Sequence, residues 1–358
     1  MKTILLNPGP VTLSARVRNA MLRDDLCHRE PEFSSLQSGI REKLLATYDL
    51  PASDWASALI TGSGTAAVES MLTSLVPRDG KLLIVENGVY GERMRRIAER
   101  YGIPATSVTQ AWQAPIDYAA VAAALAADGD ISHIAVVHHE TTTGRLNDLG
   151  PLGEICRQHD VAVLLDAVSS FAAEAIPFKS VPIAACAATA NKCLHGVPGT
   201  CFVITSRDAL AAAHPRNLYL DLGAYVSAQD SAGTPFTQSI QTFYALDEAL
   251  DELAESGGVA ARRALYESRM ATIRDTLVAL GIEPLLDAAE CSCVLHAYKL
   301  PQGTDYTTLH DALKAAGFII YAGQGSYAQS IFRISMMGEI SSADIGRLQQ
   351  ALTAALTG

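Results

Sequence analysis

The sequence predicts an α/β protein, with a mostly parallel sheet in a large domain and a smaller α+β domain at the C-terminus. The main observation is a series of short, mainly apolar runs without polar alternation, at residues 57–60, 81–86, 105–109, 134–137, 162–165, 183–190 and 201–205. Helical patterns separate most of these runs, as at residues 65–76, 91–102, 118–128 and 151–160. Uninterrupted apolar strands are typical of a parallel sheet covered by helices on both faces.

The pattern changes after Thr242. A helical region covers residues 240–281, with a joint expected at Gly257-Gly258. It is followed by elements in the order βαββα, at residues 293–299, 306–316, 318–322, 332–335 and 342 onward. We therefore predict a large domain over residues 15–255 and a small domain that combines residues 256–358 with residues 1–14.

Composition excludes several classes of protein. The 358 residues are 49% hydrophobic and 18% charged, which is typical of a folded globule. A net charge of −11 opposes binding to nucleic acid or to an anionic membrane, so neither partner is expected and an anionic ligand needs local arginines. No apolar run is long enough to span a bilayer. The seven cysteines form no CxxC pair, which favours a reducing, cytoplasmic location.

The apolar run at residues 183–190 ends directly on Asn191 and Lys192. Lysine is seldom buried without a partner, so a lysine at the end of a buried strand either extends outward or has a chemical role. Removal from water lowers the pKa of a lysine, and the free amine can then form a Schiff base with an aldehyde. Both interpretations of Lys192 stay open on this feature alone.

Three other loops follow strands at the sheet edge where open α/β sheets bind ligands. The segment Thr61-Gly62-Ser63-Gly64-Thr65 opens a helix and suits an anion, although it also fits a simple helix cap. Tyr90 lies between Gly88 and Gly91, and its ring can stack on a planar ligand or pack in the core. Asp166 ends a buried run and needs a cationic partner, either a side chain or a protonated ring nitrogen.

Adjacent residues of a strand point to opposite faces, so His138 and His139 do not form a metal site and no metal is predicted. In chain order, the loops offer an anion site, an aromatic ring, a carboxylate and a lysine. Pyridoxal phosphate requires this set, because its aldehyde needs an amine and its ring nitrogen is held protonated by a carboxylate. We predict pyridoxal 5'-phosphate as the cofactor.

The whole chain resembles the fold-type I, class V aminotransferases. The motifs that carry the resemblance are LLNPGPVTLS (5–14), TGSGTAAVES (61–70), ENGVYGERM (86–94), HHETTTGRLND (138–148), LLDAVSSF (164–171), ATANKCLHGVPG (188–199), FTQSIQTFYAL (236–246) and FRISMMGEI (332–340). Within that family the segments ETTTG and NKCLHGVPG are most similar to the branch that transfers the amino group of 2-aminoethylphosphonate to pyruvate, giving phosphonoacetaldehyde and L-alanine.

The resemblance implies a role for each of several residues. Lys192 would carry the cofactor and move the proton, and Asp166 would pair with the ring nitrogen. The remaining cofactor contacts would be Ser63, Gly64, Thr65, Tyr90, Thr142, Val168, Asn191 and, reaching a neighbouring subunit's cofactor, Thr242. Substrate would be bound by Arg333 and bordered by Asn7 and Gly9. The protein would be a homodimer with shared active sites.

Three alternatives remain. A class V enzyme could instead act on alanine or serine with glyoxylate or pyruvate, or on a related aminophosphonate. A desulfurase or lyase on the same fold would need a mobile nucleophilic cysteine, and Cys193 is the residue beside the lysine. A nucleotide-binding α/β protein, non-catalytic or similar to a dehydrogenase, would use the glycine-rich loop but would leave Lys192 and Asp166 without a role.

Overall fold

In the computed structural model, which describes residues 2–357, strands and helices alternate from Trp55 to Ala127, and one helix lies among the six strands from Ile131 to Ser206. The strands are β1 (Ile4–Leu5), β2 (Trp55–Gly62), β3 (Lys81–Glu86), β4 (Ala105–Thr109), β5 (Ile131–Val137), β6 (His139–Glu140), β7 (Arg145–Leu146), β8 (Ala162–Asp166), β9 (Ile183–Thr189), β10 (Gly199–Ser206), β11 (Leu295–Lys299), β12 (Phe318–Ile319), β13 (Tyr321–Ala322) and β14 (Ile331–Ser335). The helices are α1 (Ala15–Ala20), α2 (Pro31–Ala46), α3 (Gly64–Leu75), α4 (Val89–Arg100), α5 (Tyr118–Ala127), α6 (Leu149–Gln158), α7 (Arg207–Ala211), α8 (Leu222–Asp230), α9 (Ile240–Glu255), α10 (Gly258–Ala279), α11 (Tyr306–Ala315) and α12 (Ser342–Thr357).

The central sheet has the strand order β2-β10-β9-β8-β5-β3-β4. Every strand is parallel to the others except β10, which is antiparallel to both of its neighbours. The connection between β9 and β10 is a short loop without a helix, and a parallel return would need a longer crossover. The predicted mostly parallel sheet is confirmed.

Both faces of this sheet are buried along its inner strands, which explains why those strands are mainly apolar; the edge strand β4 is partly exposed and contains Thr106, Ser107 and Thr109. In β3, Leu83 and Val85 belong to one hydrophobic cluster, with residues of α2, α5, α6 and α9. The alternate residues Leu82 and Ile84 belong to another cluster, with residues of α3, α4 and α8. Successive side chains of a strand point to opposite faces, so a sheet enclosed between two helical layers needs an apolar residue at each position.

A second region of the fold is built on the antiparallel sheet β11-β14-β13 and on the parallel pair β1-β12. Its hydrophobic cluster joins residues from both ends of the chain, including Ile4, Ile334 and Leu348. Helix α10 contacts both regions, because Tyr266 packs in a cluster of the central sheet and Met270 packs in the second cluster. The proposed boundaries, residues 15–255 against 256–358 with 1–14, stay a prediction, and they include Met1 and Gly358, which lie outside the described residues.

Some local predictions differ from the structure. Residues 318–322 form two short strands with different partners, because β12 pairs with β1 and β13 pairs with β14. Helices α7 and α8 lie where no element was predicted. Among residues 2–357, no helix is both long and apolar enough to cross a membrane.

Candidate active site

A cavity of about 470 Å³ lies where the loops after β2, β3, β8 and β9 meet. Parallel strands place their carboxyl ends at one edge of the sheet, and this convergence brings residues from distant parts of the sequence together. The predicted site residues that line it are Gly9, Ser63, Gly64, Thr65, Tyr90, Val168, Asn191 and Lys192. They are joined by Gly62, Arg93, Thr189, Pro198 and Gly199.

Lys192 follows β9 by a short turn, and its side chain is half-buried along the cavity wall. Burial lowers the pKa of its amine to about 8. The Nζ atom donates a hydrogen bond to the carbonyl of Pro8. The chain at Gly9 has a φ of +104°, and a Cβ there would lie 2.7 Å from Lys192 Cδ and 3.0 Å from the carbonyl oxygen of Asn191. Glycine is therefore needed where the N-terminal segment crosses the lysine.

Asp166 is the last residue of β8 and is buried. Burial raises the pKa of its carboxyl group to about 6, against the opposing effects of the Val168 N–H and the charges of Arg93 and Lys192. Val168 N donates to Asp166 Oδ1 at 3.0 Å, which fixes the orientation of the carboxylate. A carboxylate in this setting gains from a cationic partner, and a protonated pyridine nitrogen is such a partner.

The first turn of α3 offers free backbone N–H groups to an anion. Ser63 is the N-cap, and its hydroxyl makes no capping hydrogen bond with the helix. A Cβ at Gly64 would lie 2.8 Å from Val168 Cγ1, so glycine permits the close approach of this turn to the loop after β8. The helix dipole adds to the attraction for negative charge.

Tyr90 lies in the first turn of α4, and its ring borders the cavity. The guanidinium of Arg93, one helical turn later, lies 4.8 Å from the centre of the Tyr90 ring. Arg93 Nη1 also donates to Thr65 Oγ1 at 3.2 Å. This arginine thereby links the aromatic side chain to the anion site.

Glu140 is a buried carboxylate between the cavity and the second sheet. Its Oε1 accepts from Thr142 N at 2.9 Å and its Oε2 accepts from Tyr90 N at 3.2 Å. Burial raises the pKa of Glu140 to about 7. A Cβ at Gly88 would lie 2.2 Å from the carboxyl carbon, so the glycine before Tyr90 makes room for this group. Glu140 fixes the backbone of two predicted cofactor contacts at once.

Arg333 lies on β14, is almost fully buried and does not line the cavity. Its Nε donates to the carbonyl of Ala322 and its Nη1 donates to the carbonyl of Thr141, both at 2.8 Å. Burial lowers its pKa, while Glu140 is among the groups that raise it. Within residues 2–357, no carboxylate forms an ion pair with Arg333, and the two 2.8 Å hydrogen bonds of its guanidinium go to backbone carbonyls.

Three other predicted site residues, Thr142, Asn7 and Thr242, do not line the cavity. The hydroxyl of Thr142 is buried and has no hydrogen-bond partner within the described chain. Asn7 is buried and its amide donates to the carbonyl of Pro10 at 2.9 Å. Thr242 lies beside Gly199, where a Cβ would be 3.0 Å from Thr242 Cγ2, and its hydroxyl lies 2.7 Å from that of Thr200.

Three other residues that stand out in the sequence are buried. His138 and His139 are buried, each hydrogen bonded through Nδ1 to the segment Ser169-Ser170. Within residues 2–357, no group of three or more His, Cys, Asp or Glu side chains is arranged to hold a metal ion. Cys193 is buried and burial raises the pKa of its thiol to about 12, which opposes a nucleophilic role.

Comparison with known proteins identifies the family. A family profile described as aminotransferase class-V matches residues 20–348. The chain belongs to the class-V aminotransferases. Two curated relatives of this class-V aminotransferase are both named 2-aminoethylphosphonate–pyruvate transaminase. The protein from Klebsiella pneumoniae is 37% identical over 99% of this chain and 97% of its own length. The protein from Salmonella paratyphi C is 38% identical, again over 99% of this chain and 97% of its own length.

Among solved structures, an aspartate aminotransferase from Thermus thermophilus matches with a TM-score of 0.91 and 26% identity, over 99% of each chain. The predicted fold class, that of the fold-type I pyridoxal phosphate-dependent transferases, is confirmed. Class-V aminotransferases depend on pyridoxal phosphate, so the predicted cofactor is confirmed as well.

The residues present fit this cofactor. A half-buried amine with a lowered pKa suits an aldehyde, and a buried carboxylate suits the ring nitrogen. The unpartnered hydroxyl of Thr142 and the free N–H groups at the start of α3 are available for polar groups of a ligand. The roles of individual residues stay predictions.

Most residues of the cavity lining were predictable from the sequence, but two charged residues were not predicted: Arg93, which lines the cavity, and Glu140, which contacts Tyr90. Arg93 lies three residues after Tyr90 on a helical pattern, and this spacing alone places the two side chains on one face. In the sequence, Glu140 stands out only as the residue that follows His138 and His139, and no separate role was predicted for it. Its contact with Tyr90 depends on how distant segments fold together, and no local signal predicts it.

Proposed function

We propose that this class-V aminotransferase transfers the amino group of 2-aminoethylphosphonate to pyruvate, with phosphonoacetaldehyde and L-alanine as products. The observation that carries the proposal is the identity of 37% and 38%, over nearly the full chain, with two enzymes named for this reaction. The site supports it, since Lys192 lines the cavity and the buried carboxylate of Asp166 is near enough for each group to shift the pKa of the other.

Lys192 is the proposed catalytic base and acid. When bound, pyridoxal phosphate supplies an electron sink for the carbon that bears the amino group. In the donor half-reaction a proton has to leave that carbon, and in the acceptor half-reaction a proton has to be added to the corresponding carbon of pyruvate; Nζ of Lys192, which lines the cavity, would move it. With a pKa near 8, a substantial fraction of this amine is neutral close to neutral pH, and only the neutral amine accepts a proton.

The other proposed roles follow from position and charge. The carboxylate of Asp166 would hold the ring nitrogen in its protonated form. Tyr90 and Val168 would enclose the ring, with Asn191 beside it. Arg333, which lacks an ion-pair partner in the described chain, would bind the phosphonate of the donor and the carboxylate of the acceptor. A planar guanidinium can pair with either group in a bidentate manner. Asn7 and Gly9 would form the border of that pocket.

We further propose a homodimer in which Thr242 contributes to the partner's active site, and a cytoplasmic location. For the dimer, the support is the family resemblance, together with the adjacent exposed side chains of Leu218 (82% exposed) and Tyr219 (47% exposed). For the location, the seven cysteines are all free, as is usual in a reducing compartment.

The test is a direct assay of the purified protein. With 2-aminoethylphosphonate and pyruvate, alanine and phosphonoacetaldehyde should form in equal amounts, and the Lys192→Ala protein should form neither. Turnover of alanine or serine with glyoxylate, with no alanine formed from 2-aminoethylphosphonate and pyruvate, would replace the proposed substrate while leaving the family unchanged.

A further inference from the structure

Arg93 is the cation that touches the anion site. Its guanidinium lines the cavity, donates to Thr65 Oγ1 at 3.2 Å and lies 4.8 Å from the centre of the Tyr90 ring. Both contacts leave some of its five N–H donors free, since neither partner is a carboxylate. Within residues 2–357, no acidic side chain forms an ion pair with Arg93.

The anion site itself carries no charge. Ser63, Gly64 and Thr65 offer hydroxyl and backbone N–H groups only, whereas a phosphate monoester carries close to two negative charges at neutral pH. The whole chain has a net charge of −11, so its overall field opposes binding of such an anion. The cavity lining contains two cations, Arg93 and Lys192, and the amine of Lys192 is needed for the aldehyde.

We propose that Arg93 is a cofactor-binding residue whose guanidinium pairs with the phosphate group held at the start of α3. The inference rests on the proposed arrangement of the cofactor in this cavity. The planar group serves two purposes, because its face packs on the Tyr90 ring while its edge remains directed to Thr65. A lysine at position 93 would keep the positive charge but could not stack on the Tyr90 ring, so the two residue types are not equivalent here.

Binding of two aldehydes that differ only in the phosphate tests this role without any substrate. The protein stripped of cofactor is titrated with pyridoxal 5'-phosphate and with pyridoxal, and the change in absorbance gives Kd for each. Arg93→Gln should raise Kd for pyridoxal phosphate by about 10- to 100-fold, the usual effect of losing a charge-assisted hydrogen bond. Kd for pyridoxal should change much less. Arg93→Lys should give an intermediate loss for pyridoxal phosphate.

Arg96→Gln is the matched control, because Arg96 is on the same helix but exposed. It should leave both Kd values unchanged. Equal weakening of both aldehydes by Arg93→Gln would show that Arg93 only supports Tyr90 and would overturn the proposal. Unchanged Kd values, with a raised KM for 2-aminoethylphosphonate, would also overturn it, by assigning Arg93 to the substrate. If Arg93→Gln weakens pyridoxal phosphate selectively but the wild-type protein does not convert 2-aminoethylphosphonate and pyruvate, the proposed substrate is wrong and the role of Arg93 is still supported.

Discussion

Lys192 combines two properties that a chemical role requires: it borders a cavity and its amine loses its proton at an unusually low pH. Burial is the main cause, since removal from water disfavours the charged form. The carbonyl of Pro8 accepts a hydrogen bond from Nζ and holds the side chain in place. We therefore expect part of this amine to be neutral near neutral pH before any ligand binds.

This property predicts how cofactor uptake depends on pH. The reactive form is the neutral amine, so the rate of uptake by the stripped protein should rise with pH and level off above a midpoint near 8. Below that midpoint each unit of pH should lower the rate about tenfold, because the neutral fraction falls by that factor. Stopped-flow absorbance at fixed ionic strength measures the rate. A midpoint close to 10.5, the ordinary value for lysine, would show that the amine is not desolvated.

Asp166 offers a test of charge at constant shape. Asp166→Asn keeps the volume of the side chain but cannot stabilise a protonated ring nitrogen, so kcat should fall by roughly 100-fold or more. The cofactor should still be bound, and its absorbance spectrum should shift. Asp54→Asn, at an exposed position, is the control and should leave kcat unchanged. A normal kcat for Asp166→Asn would remove this residue from the mechanism.

Glu140 predicts a pH dependence of stability in the protein without cofactor. Its folded pKa, about 7, lies above the ordinary 4.5, so the folded state binds more protons than the unfolded state between these values. Its contribution therefore makes the free energy of unfolding decrease as pH rises from about 4.5 to 7. Glu140→Gln should flatten this part of the profile, as measured by urea unfolding, while Glu42→Gln at an exposed site should not. An unaltered slope in Glu140→Gln would contradict the raised pKa.

At the scale of structural elements, the turn formed by residues 7–10 packs against the side chain of Lys192. Gly9→Ala would introduce a methyl group 2.7 Å from Lys192 Cδ, at a φ of +104° that alanine rarely adopts. We expect the variant to fold but to bind pyridoxal phosphate at least about tenfold more weakly, because the lysine must move. Titration of the stripped protein measures this.

Gly39→Ala is the control for that substitution. Gly39 lies within α2 and a Cβ there meets no atom within 4 Å. Alanine should leave cofactor binding unchanged and stabilise the protein by about 0.5–1 kcal/mol, through the higher helix propensity of alanine. Equal cofactor affinity in both variants would show that the turn at Gly9 does not constrain the lysine.

Elements were predictable from sequence where burial alone determines them. Strand β3 occurs at the predicted residues, 81–86, because both of its faces are core and its apolar run has a clear start and end. The run at 318–322 gave no sign of its division, since the partner of β12 is β1, at the other end of the sequence. The site loops could be located because each directly follows an apolar run. The contact between Glu140 and Tyr90 could not be predicted, because it joins segments that are distant in sequence.

At the scale of the whole molecule, hydrogen bonds connect the C-terminal region, which contains the second sheet, to the loops of the central sheet near Lys192. Arg333 of β14 donates to the carbonyl of Thr141, and Arg262 of α10 donates to the carbonyl of Cys193. Gly338 N donates to His195 Nε2 at 2.8 Å. These contacts keep the proposed substrate-binding arginine in register with the cofactor cavity.

The proposed dimer predicts complementation between two defective chains. A Lys192→Ala chain and a Thr242→Ala chain, mixed and allowed to exchange subunits, should recover up to half of the activity per mixed dimer. If Thr242 acts across the interface, one of the two sites in the mixed dimer would combine Lys192 from the Thr242→Ala chain with Thr242 from the Lys192→Ala chain. Each variant alone should be far less active, and size-exclusion chromatography should show dimers in every case. No recovery after confirmed exchange would place Thr242 within its own subunit's site.

The most direct test of the account is to find which lysine carries the cofactor. The holoenzyme is reduced with borohydride, which makes the link between pyridoxal phosphate and its amine permanent, and its peptides are then analysed by mass spectrometry. We predict the pyridoxyl phosphate group on Lys192 alone. Its presence instead on any of Lys2, Lys43, Lys81, Lys179, Lys299 or Lys314, or on no lysine, would contradict the central claim.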